Sequence, residues 1–220
     1  MKLTVIAATG GIGRAVLAQA LEAGHDVTAV ARNPKNLDPG VRSFAVDLTE
    51  PVTDALRTAV SGADAVLSCI GPRRKEETGI VSAGTARIIA AMQAAGTRRI
   101  IAVAGIGLST VPTPNRPRRR REPGAGTLMT LVTLPLVRAM LGPHMSDVAA
   151  MEEQLAESGL DWTSVRLPRL TDGPLTGKYQ VAQGISLPRA FKLSRADAAH
   201  FMLRAVDDRH AVGRHVTVAY

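Results

Sequence analysis

Seven residues near the start carry the first chemistry this sequence can do: Ala7-Ala8-Thr9-Gly10-Gly11-Ile12-Gly13. They join a β-branched apolar run, Leu3 to Ala7, to a stretch where Ala15, Val16, Ala18, Leu21 and Ala23 recur at helical spacing. Aligned with G-x-x-G-x-x-G, Ala7 takes the place of the first glycine, and Gly10 and Gly13 supply the other two. A pyrophosphate needs close backbone approach and a helix N-terminus with free N–H groups. Gly10 and Gly11 permit that approach, and Gly13 lets the helix pack on the strand. The methyl of Ala7 crowds a tight turn and bears on affinity. The competing reading is a glycine turn without a ligand. The strand–turn–helix context at the start of an α/β pattern favours the dinucleotide.

The end of the second apolar run selects the nucleotide. NAD sites place a carboxylate there to hold the ribose diol. This chain has Val30-Ala31-Arg32-Asn33-Pro34-Lys35, with no acid. Arg32 offers a planar donor fork suited to a 2′-phosphate, so NADP(H) is the expected cofactor. A solvated basic loop is the plainer alternative. Asp47-Leu48 closes the third run, where a carboxylate can accept from an adenine amino group and Leu48 can pack on the ring; capping the next helix is nearly as good an explanation. Cys69-Ile70-Gly71-Pro72 closes the fourth, and Gly71 again allows close approach.

The remaining polar residues offer less. Tyr179 is followed four places on by Gln183, and Tyr220 is the last residue, so neither makes the Tyr-x-x-x-Lys pair that dehydrogenates alcohols. His25 and His210 fall in turns and His215 in a strand. His200 reads as structural. His144, after Gly142-Pro143, is a weak candidate general acid. No His/Asp/Glu cluster suggests a metal. Hydride transfer to a flat conjugated acceptor needs mainly an apolar pocket, for which Gly105 to Leu108 is suitable, with Ser109 as a possible polar handle.

These residues need a parallel sheet to position them. Apolar runs at Asp26 to Ala31, Val41 to Val46, Ala63 to Ile70 and Arg99 to Ala104 read as strands, and Leu160 to Leu167 and Arg214 to Ala219 as a sixth and a last strand. Helices are expected from Pro51 to about Val60, from Gly79 to Ala95, from about Ser146 to Ser158, and from Ser194 to Val206, where Ser194 and Asp197 resemble a capping box. Asp172-Gly173-Pro174 is a turn. Ser109 to Gly126, rich in Pro, Gly and Arg, is an excursion. The expected fold is α/β: a Rossmann-type doubly wound parallel sheet in three αβα layers, forming one NAD(P)-binding domain over residues 1–220.

Composition bounds the function. Across 220 residues the net charge is +8, but Arg116, Arg118, Arg119, Arg120 and Arg121 supply five of those charges. Nucleic acid is therefore not expected as a partner, and with aromatics at 3% there is no stacking platform for single strands. The arginine run sits among prolines and is expected to be solvated and dispensable for folding. One cysteine excludes a disulfide framework. The apolar stretch from Leu128 to Leu141 is interrupted by Pro135 and Arg138 and is shorter than a membrane span, so a cytoplasmic protein is expected, with no membrane partner.

The sequence resembles the atypical short-chain dehydrogenase/reductases of the NAD(P)H-binding, NmrA-like group, and within it the biliverdin-IXβ reductase/flavin reductase type. The resemblance rests on Ala7 to Gly13, Ala31-Arg32-Asn33, Asp47-Leu48 and Glu157-Ser158-Gly159-Leu160. Most specific are Asp172-Gly173-Pro174-Leu175-Thr176-Gly177-Lys178-Tyr179 and Ala199-His200-Phe201-Met202-Leu203-Arg204. It implies cofactor contacts at Thr9, Gly10, Ile12, Arg32, Asp47, Leu48, Ile70, Gly71, Arg73 and Ser82, and places Pro168 and Arg169 beside the nicotinamide. Two residues depart from the flavin reductase type: Gly105 stands where that type has serine, and Arg169 where it has histidine.

The expected function is NADPH-dependent hydride transfer to a small planar acceptor, a flavin or quinone, by a monomer or homodimer. Arg169 holds the acceptor and favours negative charge on it. Its alternative partner is Asp172. The rival reading is a non-catalytic, NADP-binding redox sensor, and an epimerase ranks third because it usually needs the tyrosine base.

Overall fold

The structure is a computed structural model that describes residues 1–71, 79–118, 122–127, 129–188 and 191–220. Its strands are β1 (Lys2–Ile6), β2 (Asp26–Ala31), β3 (Arg42–Ala45), β4 (Ala65–Ser68), β5 (Arg99–Gly105), β6 (Asp161–Leu167), β7 (Arg169–Thr171), β8 (Gln180–Gln183), β9 (Lys192–Ser194) and β10 (Arg214–Ala219). The helices are α1 (Gly11–Glu22), α2 (Asp54–Val60), α3 (Ile80–Ala95), α4 (Leu134–Glu157) and α5 (Arg195–Arg204). Eight strands form one sheet in the order β3-β2-β1-β4-β5-β6-β10-β8, while β7 and β9 pair apart from it. Every pairing in the large sheet is parallel except β8 with β10. The strand order reverses direction between β1 and β4, where a doubly wound sheet opens its ligand crevice.

The period-2 alternation of the strands builds two cores. Leu3, Val5, Ala65, Leu67 and Ile101 face α1 and α5. Ile6, Val66, Ile100 and Ala102 face α2, α3 and α4. The result is three layers with the sheet covered on both faces, as nearly continuous apolar runs require. Leu3, Ile6, Leu67, Ile100 and Ile101 are fully buried. Each stabilises the fold by about 1.5–3 kcal/mol relative to an exposed side chain.

Helix starts follow local chemistry. The Thr53 hydroxyl accepts from the Leu56 N–H at 3.3 Å and starts α2, so this helix begins at Asp54 and not at Pro51. The Ser194 hydroxyl accepts from the Asp197 N–H at 3.0 Å and starts α5. Asp197 does not complete a capping box. Its carboxylate accepts instead from Thr176 N–H and hydroxyl, Gly177 N–H and the Tyr220 hydroxyl, at 2.6–2.9 Å. Those four donors outweigh burial and hold its pKa down to about 2. They also fix Thr176 and Gly177 against α5.

Three further features differ from the sequence expectation. The helix expected at Ser146 starts at Leu134, with a break at Leu141 (φ −124°, ψ 18°) just before Pro143. Strands β7, β8 and β9 were not anticipated, and β4 is shorter than Ala63 to Ile70. The excursion is not simply solvated. Arg116 is half-buried and donates to the carbonyls of Leu108 and Val111 at 3.2 and 3.3 Å. Arg118 is exposed, and Arg119, Arg120 and Arg121 lie outside the described residues.

Glu122, at the end of the same excursion, is 3% exposed. It accepts from the Ser186 hydroxyl at 2.7 Å and the Ser109 N–H at 3.1 Å, and lies 3.4 Å from Arg166 Nη1. Arg166 on β6 also forks onto Glu152 of α4 at 2.7 and 2.9 Å, and the Ser164 hydroxyl donates to the same carboxylate. Burial alone would raise the Glu152 pKa. The Arg166 guanidinium beside it reverses that and holds it at about 2. Ser109 belongs to this network, not to a free polar handle, since its hydroxyl accepts from Arg166. Among the described residues, no helix is long and apolar enough to cross a membrane.

Candidate functional site: a dinucleotide crevice with an apolar annex

The glycine turn sits at the C-terminal end of β1, in the crevice between β1 and β4. Ala7 adopts φ +59°, a left-handed conformation that glycine takes without strain. Its carbonyl accepts from the Gly10 N–H at 2.8 Å and closes the turn. Gly13 is tied to this geometry, because a β-carbon there would be driven into the Ala7 carbonyl. Gly10 caps α1 with its backbone alone, and no acidic residue occupies the first turn of α1. The helix therefore presents its positive end to the crevice, which is what a phosphate group requires.

Two cavities meet at this turn, and Ala7, Ile70 and Gly71 line both. The narrower cleft is walled by Thr9, Val30, Arg32, Val46, Leu48 and Ile80. Its polar edge is Arg32, directly after β2. Asp47 lies at the same edge. Hydrogen bonds from the Thr49 N–H and hydroxyl, together with the charges of Arg32 and Arg87, hold its pKa low against the effect of burial. The Thr49 bonds make Asp47 the cap of its own turn, not of α2. Asn33, where an acid would hold a ribose diol, accepts from the Lys35 N–H at 3.2 Å.

The wider cavity has a volume of about 740 Å³, within the usual range for small-molecule sites. Gly10, Gly11 and Ile12 form one side. Pro168 and Arg169 after β6, and Gly105 at the end of β5 with Ile106 after it, also line it. Leu108, Val137, Met145 and Val148 make the far wall apolar. Among the described residues no aspartate or glutamate lines it, and the charged ones that do are Arg169 and Arg195. Cys69 also borders it, and burial pushes that thiol up to about 12, so it stays a neutral, inert group. His144 is on the wall with Nδ1 buried and without a hydrogen-bond partner among the described residues. Burial outweighs the nearby Asp147 charge and lowers its pKa, leaving a neutral imidazole at neutral pH.

The structure brings Thr9, Gly10, Gly11, Ile12, Arg32, Leu48, Ile70, Gly71, Pro168 and Arg169 to the walls of these two cavities. Asp47 stands at the rim. Ser82 does not reach either wall. Its hydroxyl and N–H donate to Asp147 Oδ1 at 2.5 and 2.9 Å, while the Gly79 and Val81 N–H groups donate to Oδ2, so a carboxylate from α4 already caps α3. Arg73 lies outside the described residues. Arg169 is not turned to Asp172, which pairs with Arg195 at 2.5 Å. Neither tyrosine lines the cavities: Tyr179 shares a 2.7 Å hydrogen bond with His200 Nδ1, and Tyr220 serves Asp197.

Sequence reasoning missed Arg195, whose side chain lies against Gly11 from the first position of α5. The available signal was a cation directly after an N-capping serine, where the helix dipole disfavours it.

Over 102 residues, 46% of its length, the chain is 34% identical to an uncharacterized protein of Mycobacterium tuberculosis, of which the match spans 12%. Among solved structures, a Streptococcus pneumoniae protein provisionally described as an NADH-flavin reductase superposes with a TM-score of 0.78 at 25% identity. The alignment covers 100% of this chain and 99% of that one. A short-chain dehydrogenase/reductase of Veillonella parvula, solved with NADP, gives 0.76 at 21% identity, covering 100% and 94%. A provisionally assigned epimerase of Bacteroides thetaiotaomicron gives 0.75 at 24%, covering 100% and 96%. The profile of the NAD(P)H-binding family matches residues 7–209, and the chain belongs to that family.

Proposed function

We propose that this chain is an NADPH-dependent reductase that passes hydride to a small planar conjugated acceptor, a flavin or quinone. The observation that carries the reading is continuity: the glycine turn is also a wall of the apolar cavity. A dinucleotide whose pyrophosphate rests on α1 would lay its adenosine in the narrow cleft and its nicotinamide between Gly71, Gly105 and Pro168. Arg32 at the cleft's edge, with no acid directly after β2, supports NADP(H) over NAD(H).

When bound, the nicotinamide supplies the hydride, and the acceptor takes it together with one proton from water. The chain's own residues orient the acceptor and exclude bulk water. Leu108, Val137, Met145 and Val148 hold a flat ring by packing. Arg169 donates to the oxygen on which charge develops. A guanidinium cannot serve as a proton donor at neutral pH, so its part is electrostatic.

A second reading, an NADP-binding sensor that docks another protein, is favoured by one observation. Leu131, Val132, Leu136 and Met140 are all more than half exposed along α4 and the turn before it. NADPH oxidation against a panel of flavins and quinones separates the two. Turnover well above the background rate supports the reductase, and tight NADPH binding without turnover supports the sensor.

A further inference from the structure

Three positive features converge beside Gly11, with little negative charge among the described residues to balance them. The first is the N-terminus of α1, capped only by the Gly10 backbone. The second is the Arg195 side chain, whose Nε lies 2.6 Å from where a β-carbon on Gly11 would stand, so the guanidinium stem rests directly on the phosphate turn. The third is the N-terminus of α5 itself, from which Arg195 projects as the first residue. The acid of that first turn, Asp197, is engaged with Thr176, Gly177 and Tyr220. Among the described residues, the carboxylate paired with Arg195 is Asp172, whose side chain is 91% exposed and therefore screened by solvent.

A guanidinium held against a positive helix end is unfavourable unless an anion lies between or beside them. The side chain of Arg195 is 32% exposed, and it lines the wider cavity beside Gly10 and Gly11. We propose that Arg195 is a ligand of the dinucleotide pyrophosphate, closing over the phosphate turn from α5, with the exposed Asp172 as the weaker carboxylate partner that the phosphates replace. This rests on the dinucleotide reading of the glycine turn. It makes the pyrophosphate site a joint product of both ends of the chain, with backbone donors from α1 and a charged fork from α5.

Calorimetric titration of two probes tests it: NADPH, which contains the pyrophosphate, and adenosine 2′-monophosphate, which fills only the narrow cleft. Arg195→Gln is expected to weaken NADPH binding at least about tenfold, the scale of one charge-assisted bond. Adenosine 2′-monophosphate should stay within about twofold, since Arg195 is not on the walls of that cleft. Asp172→Asn should leave NADPH binding as tight or tighter, because it removes a negative charge beside the phosphates. Arg195→Lys, which keeps the charge but loses the fork, should fall between wild type and Arg195→Gln. A melting curve without ligand shows whether each variant is folded. Unchanged NADPH affinity in folded Arg195→Gln overturns the proposal, as does an equal loss for both probes. If the wild type itself fails to bind NADPH, the dinucleotide reading falls too, a result distinct from failure of Arg195 alone.

Discussion

The carbonyl of Ala7 occupies the place that a β-carbon on Gly13 would need. The contact is backbone against backbone, so no side-chain rotation relieves it. At Gly10 the same carbonyl would lie 3.1 Å from an added β-carbon, which is tight but tolerable with a small shift. Gly13→Ala is therefore expected to cost more than 2 kcal/mol of stability, roughly the scale of severe core overpacking, and Gly10→Ala about 1 kcal/mol or less. Thermal melts of the two variants, compared with wild type, check the order. Equal costs would mean that the turn adapts around Gly13.

Ala7 itself is the complementary case. Its φ of +59° costs an L-residue about 1–2 kcal/mol that glycine escapes, part of which is offset by the greater freedom of glycine in the unfolded chain. Ala7→Gly should stabilise the protein by up to about 1 kcal/mol, raising Tm by roughly 2–4 °C. A lower Tm would show that the Ala7 methyl packs well enough to outweigh its backbone strain.

Arg32→Ala separates the two cofactors. If Arg32 holds a 2′-phosphate, NADPH binding should weaken by about 1.5–3 kcal/mol while NADH binding hardly changes. Fluorescence titration with both nucleotides reads this directly. Parallel losses would assign Arg32 to the local fold, through its charge beside Asp47.

Acid stability should report the buried cluster at Glu152. Its folded pKa of about 2 lies below the ordinary value of 4.5, so its stabilising contribution is complete above pH 4.5 and is lost as the pH falls towards 2. Asp197, also held at about 2, adds to the same window. Glu152→Gln should lower stability at pH 7 by about 3 kcal/mol, because Arg166 loses its closest partner, and should flatten the fall in Tm between pH 4.5 and 2. An unchanged slope would mean that Glu152 ionises alike in folded and unfolded chains.

Arg169→Ala tests the acceptor side. Under the reductase reading, kcat/KM for a flavin or quinone should fall at least tenfold, about 1.4 kcal/mol, with NADPH affinity little changed. Steady-state rates and a direct NADPH titration measure the two quantities independently. Full activity with every acceptor would remove Arg169 from the reaction.

How much of this was legible depended on whether the cause was local. The glycine turn, the parallel runs and the end of β2 at Arg32 are written in contiguous residues, and the structure gathers them at one crevice. The first half of α4 was hidden because Pro135 and Arg138 interrupt the apolar stretch from Leu128 to Leu141, and Gly142-Pro143 stand just before the helix expected at Ser146. Pro135 in fact sits in the first turn, where its missing N–H costs nothing, and Pro143 follows the break at Leu141. Strand β8 is short, polar and mostly exposed, and its pairing is set by β10, more than thirty residues later. Arg195 was hidden for the same reason: no spacing links it to Gly11, and only the packing of α5 on α1 brings them together. Ser82 shows the reverse, a residue assigned to the nucleotide whose donors are already taken by Asp147.

The place of β10 in the sheet has a consequence for biosynthesis. It lies between β6 and β8, parallel to the first and antiparallel to the second. As the chain emerges from a ribosome, β1 to β6 can assemble in order, each new strand finding a finished neighbour. β8 has none until residues 214–219 are free, and the outer edge of β6 stays open for that interval. That unpaired edge, with Trp162, Val165 and Leu167 not yet buried, is the point at which a nascent chain would be captured by a chaperone or by another copy of itself. The protein's exposure to misassembly is thus concentrated in the time between the synthesis of β6 and the release of its last sheet strand.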